Sequence, residues 1–203
     1  MARVLHIACS PRGEAAFSWR VAEALLQRLD PDERRIVRRL DLAPPPGPSA
    51  EFADAMRRAQ TAEAARNEPS LAVSEELIGE LEATDTLVVS TPMHNYTVPA
   101  NLKAWLDQVV RFGRSFESTP NGKIGRLRDR PTYVVIASGG AIDPPAATQP
   151  DFLRPYLTAI LACIGIRDVT FIAAESMSRG EAVAAAGLEA ALAAVDRALA
   201  ARR

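Results

Sequence analysis

Thr86-Leu87-Val88-Val89-Ser90-Thr91 leads into Pro92-Met93-His94-Asn95-Tyr96-Thr97-Val98-Pro99, and from there into Ala100-Asn101-Leu102-Lys103-Ala104-Trp105-Leu106-Asp107-Gln108-Val109-Val110. The first six residues form a short, mostly apolar, β-branched run, the pattern of a strand covered on both faces. Two prolines then frame a loop. Beyond it Leu102, Trp105, Leu106, Val109 and Val110 recur at helical spacing, and Pro99 suits a first helical turn. Buried strand, short loop and amphipathic helix make up most of a βαβ unit.

The rest of the chain repeats that alternation in both directions. Upstream, Val4 to Ala8 reads as a buried strand and Ser18 to Leu29 as a helix. Arg34 to Leu42 reads as a strand whose mixed polarity places it at a sheet edge. Pro44 to Pro48 break the pattern. A capped helix is expected from Ser49 to about Arg66 and another from Leu71 to about Ala83. Downstream, Thr132 to Ala137 and Val169 to Ala173 read as strands. Asp151 to Ile164 and Arg179 to Ala201 read as helices. Strands alternating with helices require a parallel sheet with right-handed crossovers and helices on both faces. The expected fold is therefore one domain over residues 1–203, a three-layer, doubly wound α/β structure with a five-stranded parallel sheet in the order 2-1-3-4-5. Ligands bind such sheets where the strand order reverses. Three loops meet there: Cys9 to Ser18, Pro92 to Pro99, and Ala137 to Ile142.

Composition narrows the partners. The 203 residues carry 24 Lys+Arg against 25 Asp+Glu, with no basic stripe, so nucleic acid is not expected. Nor is there the acidic surplus of a small carrier that docks on basic redox proteins. Cys9 and Cys163 have no metal-type spacing, no metal is expected, and both should be reduced thiols. No charged segment followed by an apolar stretch precedes Val4, and no apolar run approaches the roughly 20 residues of a membrane span. A cytoplasmic protein without a membrane partner is expected.

The first loop offers hydroxyls at Ser10 and Ser18, a flexible Gly13, and free amides at a helix start. That set suits one phosphate, with Arg12 within possible reach. Equally, Ser18 could simply cap the helix and Ser10 end the strand. The loop has neither the dinucleotide G-x-G-x-x-G pattern nor a P-loop Gly-Lys-Ser/Thr. The second loop displays the thioether of Met93, the imidazole of His94, the amide of Asn95 and the phenol of Tyr96. These could cover a flat aromatic ligand or serve only as packing under a loop. In the third, Ala137-Ser138-Gly139-Gly140, paired glycines would let backbone N–H groups approach a ligand, or make a plain turn.

Taken together, Pro92 to Gly113 closely resemble the signature of the FMN-dependent NADH-azoreductase and quinone reductase family, of flavodoxin-like fold. Ser74 to Ile78, Pro155-Tyr156-Leu157 and Ile164-Gly165-Ile166 extend the similarity along the chain. The resemblance implies bound FMN, reduced by NADH or NADPH and reoxidised by quinones or azo compounds in a ping-pong cycle through flavin N5. It implies that Ser10 and Ala16-Phe17-Ser18 hold the phosphate. Met93, His94, Asn95 and Tyr96 would lie along the ring and ribityl chain, and Ala137, Ser138, Gly139 and Gly140 at the ring's far edge. It also implies a homodimer in which Gly113 to Gly125 cover the partner's flavin. A flavodoxin-type electron carrier and a flavin or chromate reductase are rival readings on the same fold, and a non-catalytic interaction module is a third.

Several positions depart from the family pattern. His94 stands where the family has Tyr, and Tyr96 where it has Phe. Ala16-Phe17-Ser18 replaces a Ser-Gln-Ser type of sequence, and Ala137-Ser138 replaces Ser-Arg. Ser118 and Cys163 occupy positions often aromatic in the family's substrate pocket. No side chain is certain to be catalytic, and His94 is the candidate.

Overall fold

Period-two alternation along three buried strands organises the molecule. The computed structural model describes residues 3–32, 34–58 and 67–202. Strands β1 (Val4–Ala8), β2 (Ile36–Arg39) and β3 (Thr86–Pro92) are parallel neighbours, and β6 (Thr132–Ala137) and β7 (Val169–Ala174) extend the same sheet in the order β2-β1-β3-β6-β7. That is the expected 2-1-3-4-5 once the sheet strands alone are counted. Leu5, Ile7, Leu87, Val89, Val134 and Ile136 point to one face. They pack there against α3 (Ala72–Glu82), α4 (Ala100–Val109) and α5 (Leu153–Cys163). Val4, Val88, Tyr133 and Val135 point to the other, under α1 (Phe17–Leu29) and α6 (Glu181–Ala200). Two cores on opposite faces make the three layers. Edge strand β2 is exposed at Ile36 and Val37 and half-buried at Arg38 and Arg39, in keeping with an edge position.

Local chemistry explains several boundaries. The Ser49 hydroxyl accepts the Phe52 N–H at 3.1 Å and caps α2 (Ala50–Arg58). The expected continuation to Arg66 lies outside the described residues. Asp151 Oδ1 accepts the Leu153 and Arg154 N–H groups at 2.9 and 3.0 Å and starts α5. Pro99 is the cap of α4 rather than its first residue, with extended backbone at ψ 158°. Strand β2 is shorter than Arg34 to Leu42, because the chain turns after Leu40, whose N–H reaches Ala8 O at 2.8 Å.

One element was not expected. Between α4 and β6, β4 (Phe116–Thr119) and β5 (Gly122–Gly125) form a separate antiparallel hairpin. Its turn is Pro120-Asn121, with Gly122 at φ 116°. Two α-carbons fasten it to the body of the protein. A Cβ on Gly125 would lie 2.0 Å from the backbone nitrogen of Gly165, and one on Gly165 would lie 2.4 Å from the carbonyl oxygen of Leu127. Leu127 N–H donates to Ile164 O beside them at 3.0 Å. Arg111, just past α4, is buried and anchors the same corner. Its guanidinium bonds the Ser74 hydroxyl at 2.9 Å and pairs with Glu75 on α3.

Candidate active site

Where β1 and β3 diverge, the loops after β1, β3 and β6 converge as the strand order demands. The first begins with Cys9 N–H bonded to Ser90 O at 2.9 Å. Gly13 then turns the chain at φ 54° into a short 3-10 segment (Gly13–Ala15). The turn is braced from β2. A Cβ on Gly13 would meet Arg39 Nη2 at 2.8 Å, and Arg39 is held by two hydrogen bonds to Asp41 and lies 4.9 Å above the Trp19 ring. Those bonds hold the Asp41 carboxyl below its ordinary range.

Helix α1 begins at Phe17 after an extended Ala16, and no side chain caps it. Ser18 is therefore not the cap. It lies within the first turn, fully buried, and its hydroxyl has no hydrogen-bond partner among the described residues. Buried hydroxyls are nearly always satisfied. An orphaned hydroxyl beside uncapped amides and the positive end of a 13-residue helix is the arrangement an anion completes. Ser10 stands across from it, 8% exposed, its hydroxyl accepting the Arg12 N–H.

The second loop is more tightly built than the sequence suggested. Met93 N–H bonds Ala137 O at 2.9 Å, and His94 and Thr97 exchange backbone hydrogen bonds of 2.9 and 3.0 Å. Between them Asn95 and Tyr96 both have positive φ, 48° and 69°, the pattern of a type I′ turn. Asn tolerates that conformation; Tyr rarely adopts it. Strain of this kind persists where the surroundings enforce it, and here Phe152 N–H grips Tyr96 O at 3.1 Å. Asn101, to which no role had been assigned, joins the first two loops, its side-chain amide donating to Cys9 O at 2.8 Å. Cys9 itself is buried, which pushes its thiol pKa up and leaves it inert.

The paired glycines meet a further need within the protein itself. A Cβ on Gly139 would lie 2.9 Å from Ser178 Oγ, and one on Gly140 would lie 2.7 Å from Gln149 Oε1. They make room for the protein's own side chains. The loop is bound to a fourth one, after β7, that the sequence reading missed. Ser176, Met177 and Ser178 N–H groups donate to Gly140, Ser138 and Gly139 oxygens, with Ser176 at φ 63°.

A cavity of about 240 Å³ results. The first loop lines it with Ser10, Ala16, Phe17 and Ser18, the second with Met93 and His94, and the third with Ala137, Ser138 and Gly139. Met177 and Ser178 complete its wall. Asn95 and Tyr96 face an adjoining hollow of about 310 Å³, which they share with Met93, Gly139 and Gln149. Gly140 lines neither, and its oxygen is taken by Ser138 Oγ and Ser176 N–H. Ser118 lies exposed on β4 and Cys163 ends α5; neither lines these two spaces. His94 is exposed, between the 240 Å³ cavity and a shallow hollow over Pro99 to Asn101.

A doubly wound sheet with an orphaned hydroxyl at an uncapped helix start and a pocket beyond it, both at the switch point, has the architecture of a small-ligand binder. The chain belongs to the flavodoxin-like fold family, whose model matches residues 2–199. It is 43% identical over 185 residues to FMN-dependent NADH:quinone oxidoreductase 5 of Burkholderia lata, covering 90% of this chain and 89% of that one. Identity to FMN-dependent NADH:quinone oxidoreductase 2 of Cupriavidus pinatubonensis is 42% over 198 residues, with 93% of each covered. Among solved structures, an FMN-dependent NADH-azoreductase from Bacillus anthracis in complex with FMN shares the fold. Its TM-score is 0.78 at 21% identity, with 97% of this chain and 99% of that one covered.

Proposed function

We propose that this chain is an FMN-dependent NADH:quinone oxidoreductase. The orphaned Ser18 hydroxyl over the uncapped start of α1 carries the reading, because a flavin mononucleotide has one terminal phosphate and this site offers one cradle. Ser10, Ser18 and the amides of Phe17 and Ser18 would hold the phosphate, with Ala16, whose N–H donates to Gly13 O at 3.1 Å, lining the cradle. Met93 to Tyr96 and Ala137 to Gly140 would flank the ring. The relatives named as FMN-dependent NADH:quinone oxidoreductases support the activity.

FMN held by these residues would supply the redox chemistry, hydride transfer from the nicotinamide through N5 to a quinone or azo acceptor in the proposed ping-pong cycle. The chain's part is binding, orientation and polarity. Loops tied to one another by Asn101, by Met93 and by the β6–β7 ladder keep these groups fixed before anything binds, and preorganised N–H donors stabilise charge without reorganising. A homodimer is part of the proposal, with Gly113 to Gly125 of one protomer covering the partner's flavin. Exposed Phe112 and Ile124 support it, lying on or beside a hairpin that stands apart from the main sheet. Among the described residues no helix is long and apolar enough to cross a membrane, which fits the proposed cytoplasmic location.

The purified protein is expected to be yellow, to release FMN on heating, to be bleached by NADH under nitrogen, and to scatter light as a dimer. FAD as the sole flavin would overturn the cofactor assignment. A flavin untouched by NADH would indicate an electron carrier, and a monomer that reduces quinone would remove the shared site.

His94 lines the cavity from an exposed position, and its ring has no hydrogen-bond partner among the described residues. His94→Tyr, which restores the family residue, is therefore expected to change quinone turnover at saturating substrate by less than about tenfold. That is below the roughly 10²–10⁴-fold range of general acid catalysis. A loss of a hundredfold or more, with FMN still bound and still reduced by NADH, would make the imidazole the proton donor instead.

A further inference from the structure

Beside the cofactor cavity lies a larger one of about 550 Å³, between the N-terminal ends of α1 and α6. The two adjoin, sharing Arg12, Phe17, Met177 and Ser178 in their walls. The outer part, where Arg20, Glu181 and Leu188 stand, has no task in holding a single-phosphate flavin.

Many arginines of this protein are held by carboxylates, but the two on this cavity are not. Arg35, Arg38, Arg39, Arg111 and Arg114 each face a carboxylate. Arg12 and Arg20 form no ion pair among the described residues, and Arg20 lies over the Phe17 ring, 5.8 Å from its centroid. Two uncommitted guanidinium groups above a floor of Phe17, Met177 and Leu188 suit a ligand that is both anionic and flat. Guanidinium binds phosphate oxygens in a bidentate manner and stacks on aromatic faces. A carboxylate placed like that of Glu181 can accept hydrogen bonds from ribose hydroxyls. An adenosine phosphate carries all three features, and the cavity has the size of small-molecule sites generally.

We infer that this cavity is the subsite for the adenosine phosphate half of the reduced nicotinamide co-substrate, leaving the nicotinamide to reach the adjoining flavin cavity. The inference rests on the NADH oxidoreductase reading above. The adenosine of an FAD bound in place of FMN is the other source of the same chemistry.

Reduced nicotinamide mononucleotide keeps the hydride-donating ring and lacks the adenosine, so it separates the two halves of the donor. With the holoenzyme and a quinone acceptor, NADH is expected to exceed the mononucleotide in kcat/KM by about a hundredfold. This corresponds to one or two charge-assisted phosphate contacts. Arg20→Gln, and independently Ala185→Phe, which fills the cavity from an exposed position, should each cut that advantage tenfold or more. The rate with the mononucleotide should move less than about twofold, which also shows that the variants are folded. A native ratio near one, or a ratio that survives both substitutions, would overturn the subsite while leaving the enzyme assignment intact. Release of FAD from the native protein would assign the cavity to the cofactor's own adenosine and overturn the co-substrate reading. Absence of any NADH oxidation would remove the function on which the inference stands.

Discussion

Replacing Arg111 by alanine is expected to lower the unfolding free energy by about 3 kcal/mol, the lower end of what breaking a buried ion pair costs. The guanidinium is 1% exposed, burial pulls its pKa down to about 10 with Arg114 adding to the effect, and it spans Ser74 and Glu75 at once. Its removal empties a large volume between α3, α4 and the hairpin. The lower end applies because Glu75 keeps Arg114 at 3.0 Å and is not left alone. For a chain of this length that is a fall of roughly 6–12 °C in Tm. Arg111→Lys retains the charge but cannot reach both partners, and should lose about half as much. Chemical denaturation measures both. A loss under about 1 kcal/mol for the alanine variant would mean that the pair contributes little, and NADH oxidation at low temperature should persist in either case.

Acidification provides the second large effect. His6 lies on β1 under α1, fully buried, with Nε2 2.9 Å from Ser90 Oγ and its ring 5.0 Å from that of Trp19. Its other nitrogen has no partner among the described residues. Burial, then Arg35, then Arg39 push its pKa down to about 3. The unfolded chain, titrating near 6.5, therefore takes up a proton that the folded chain refuses, and stability falls as pH drops from 6.5 toward 3. Between pH 7 and 4.5 this group alone should remove ~2.5 kcal/mol. In His6→Gln, which can still bond Ser90, the decline over that interval should be shallower by this amount, whatever the variant's absolute stability. Parallel curves for the two proteins would show that the imidazole is not the sensor. Carboxylates held low by hydrogen bonds, such as Asp41, act in both proteins and cancel in the comparison.

The parts of this fold legible in the sequence were those carried by strong periodicity. Val4 to Ala8, Thr86 to Thr91 and Thr132 to Ala137 are apolar enough to be placed without any structure, and their order fixes where the loops converge. The hairpin escaped because Glu117, Ser118 and Lys123 blur its alternation. Its one local signal, Asn121-Gly122, sits in a stretch with little apolar pattern. Met177 and Ser178 escaped for another reason. They reach the site only through the register of β7 on β6, a relation between residues about 40 apart that no local pattern reveals. Ser18 was found, but its role as cap or ligand could be separated only when its hydroxyl proved to be buried and unpaired. At Gly139 and Gly140 the residue type was informative and the reason inferred from it was incomplete, because Ser178 lies 39 residues beyond Gly139 and Gln149 sits in a loop without periodic pattern.

Gly125 and Gly165 meet with no space for a side chain on either, so the hairpin has no hinge at its base. A protruding arm normally surrenders conformational freedom when another surface closes on it, and that loss subtracts from the binding free energy. Here the arm's freedom has already been given up during folding of its own chain. Association through it would then be a rigid-body encounter, governed by the hairpin's shape and the exposed Ile124 near its base rather than by ordering.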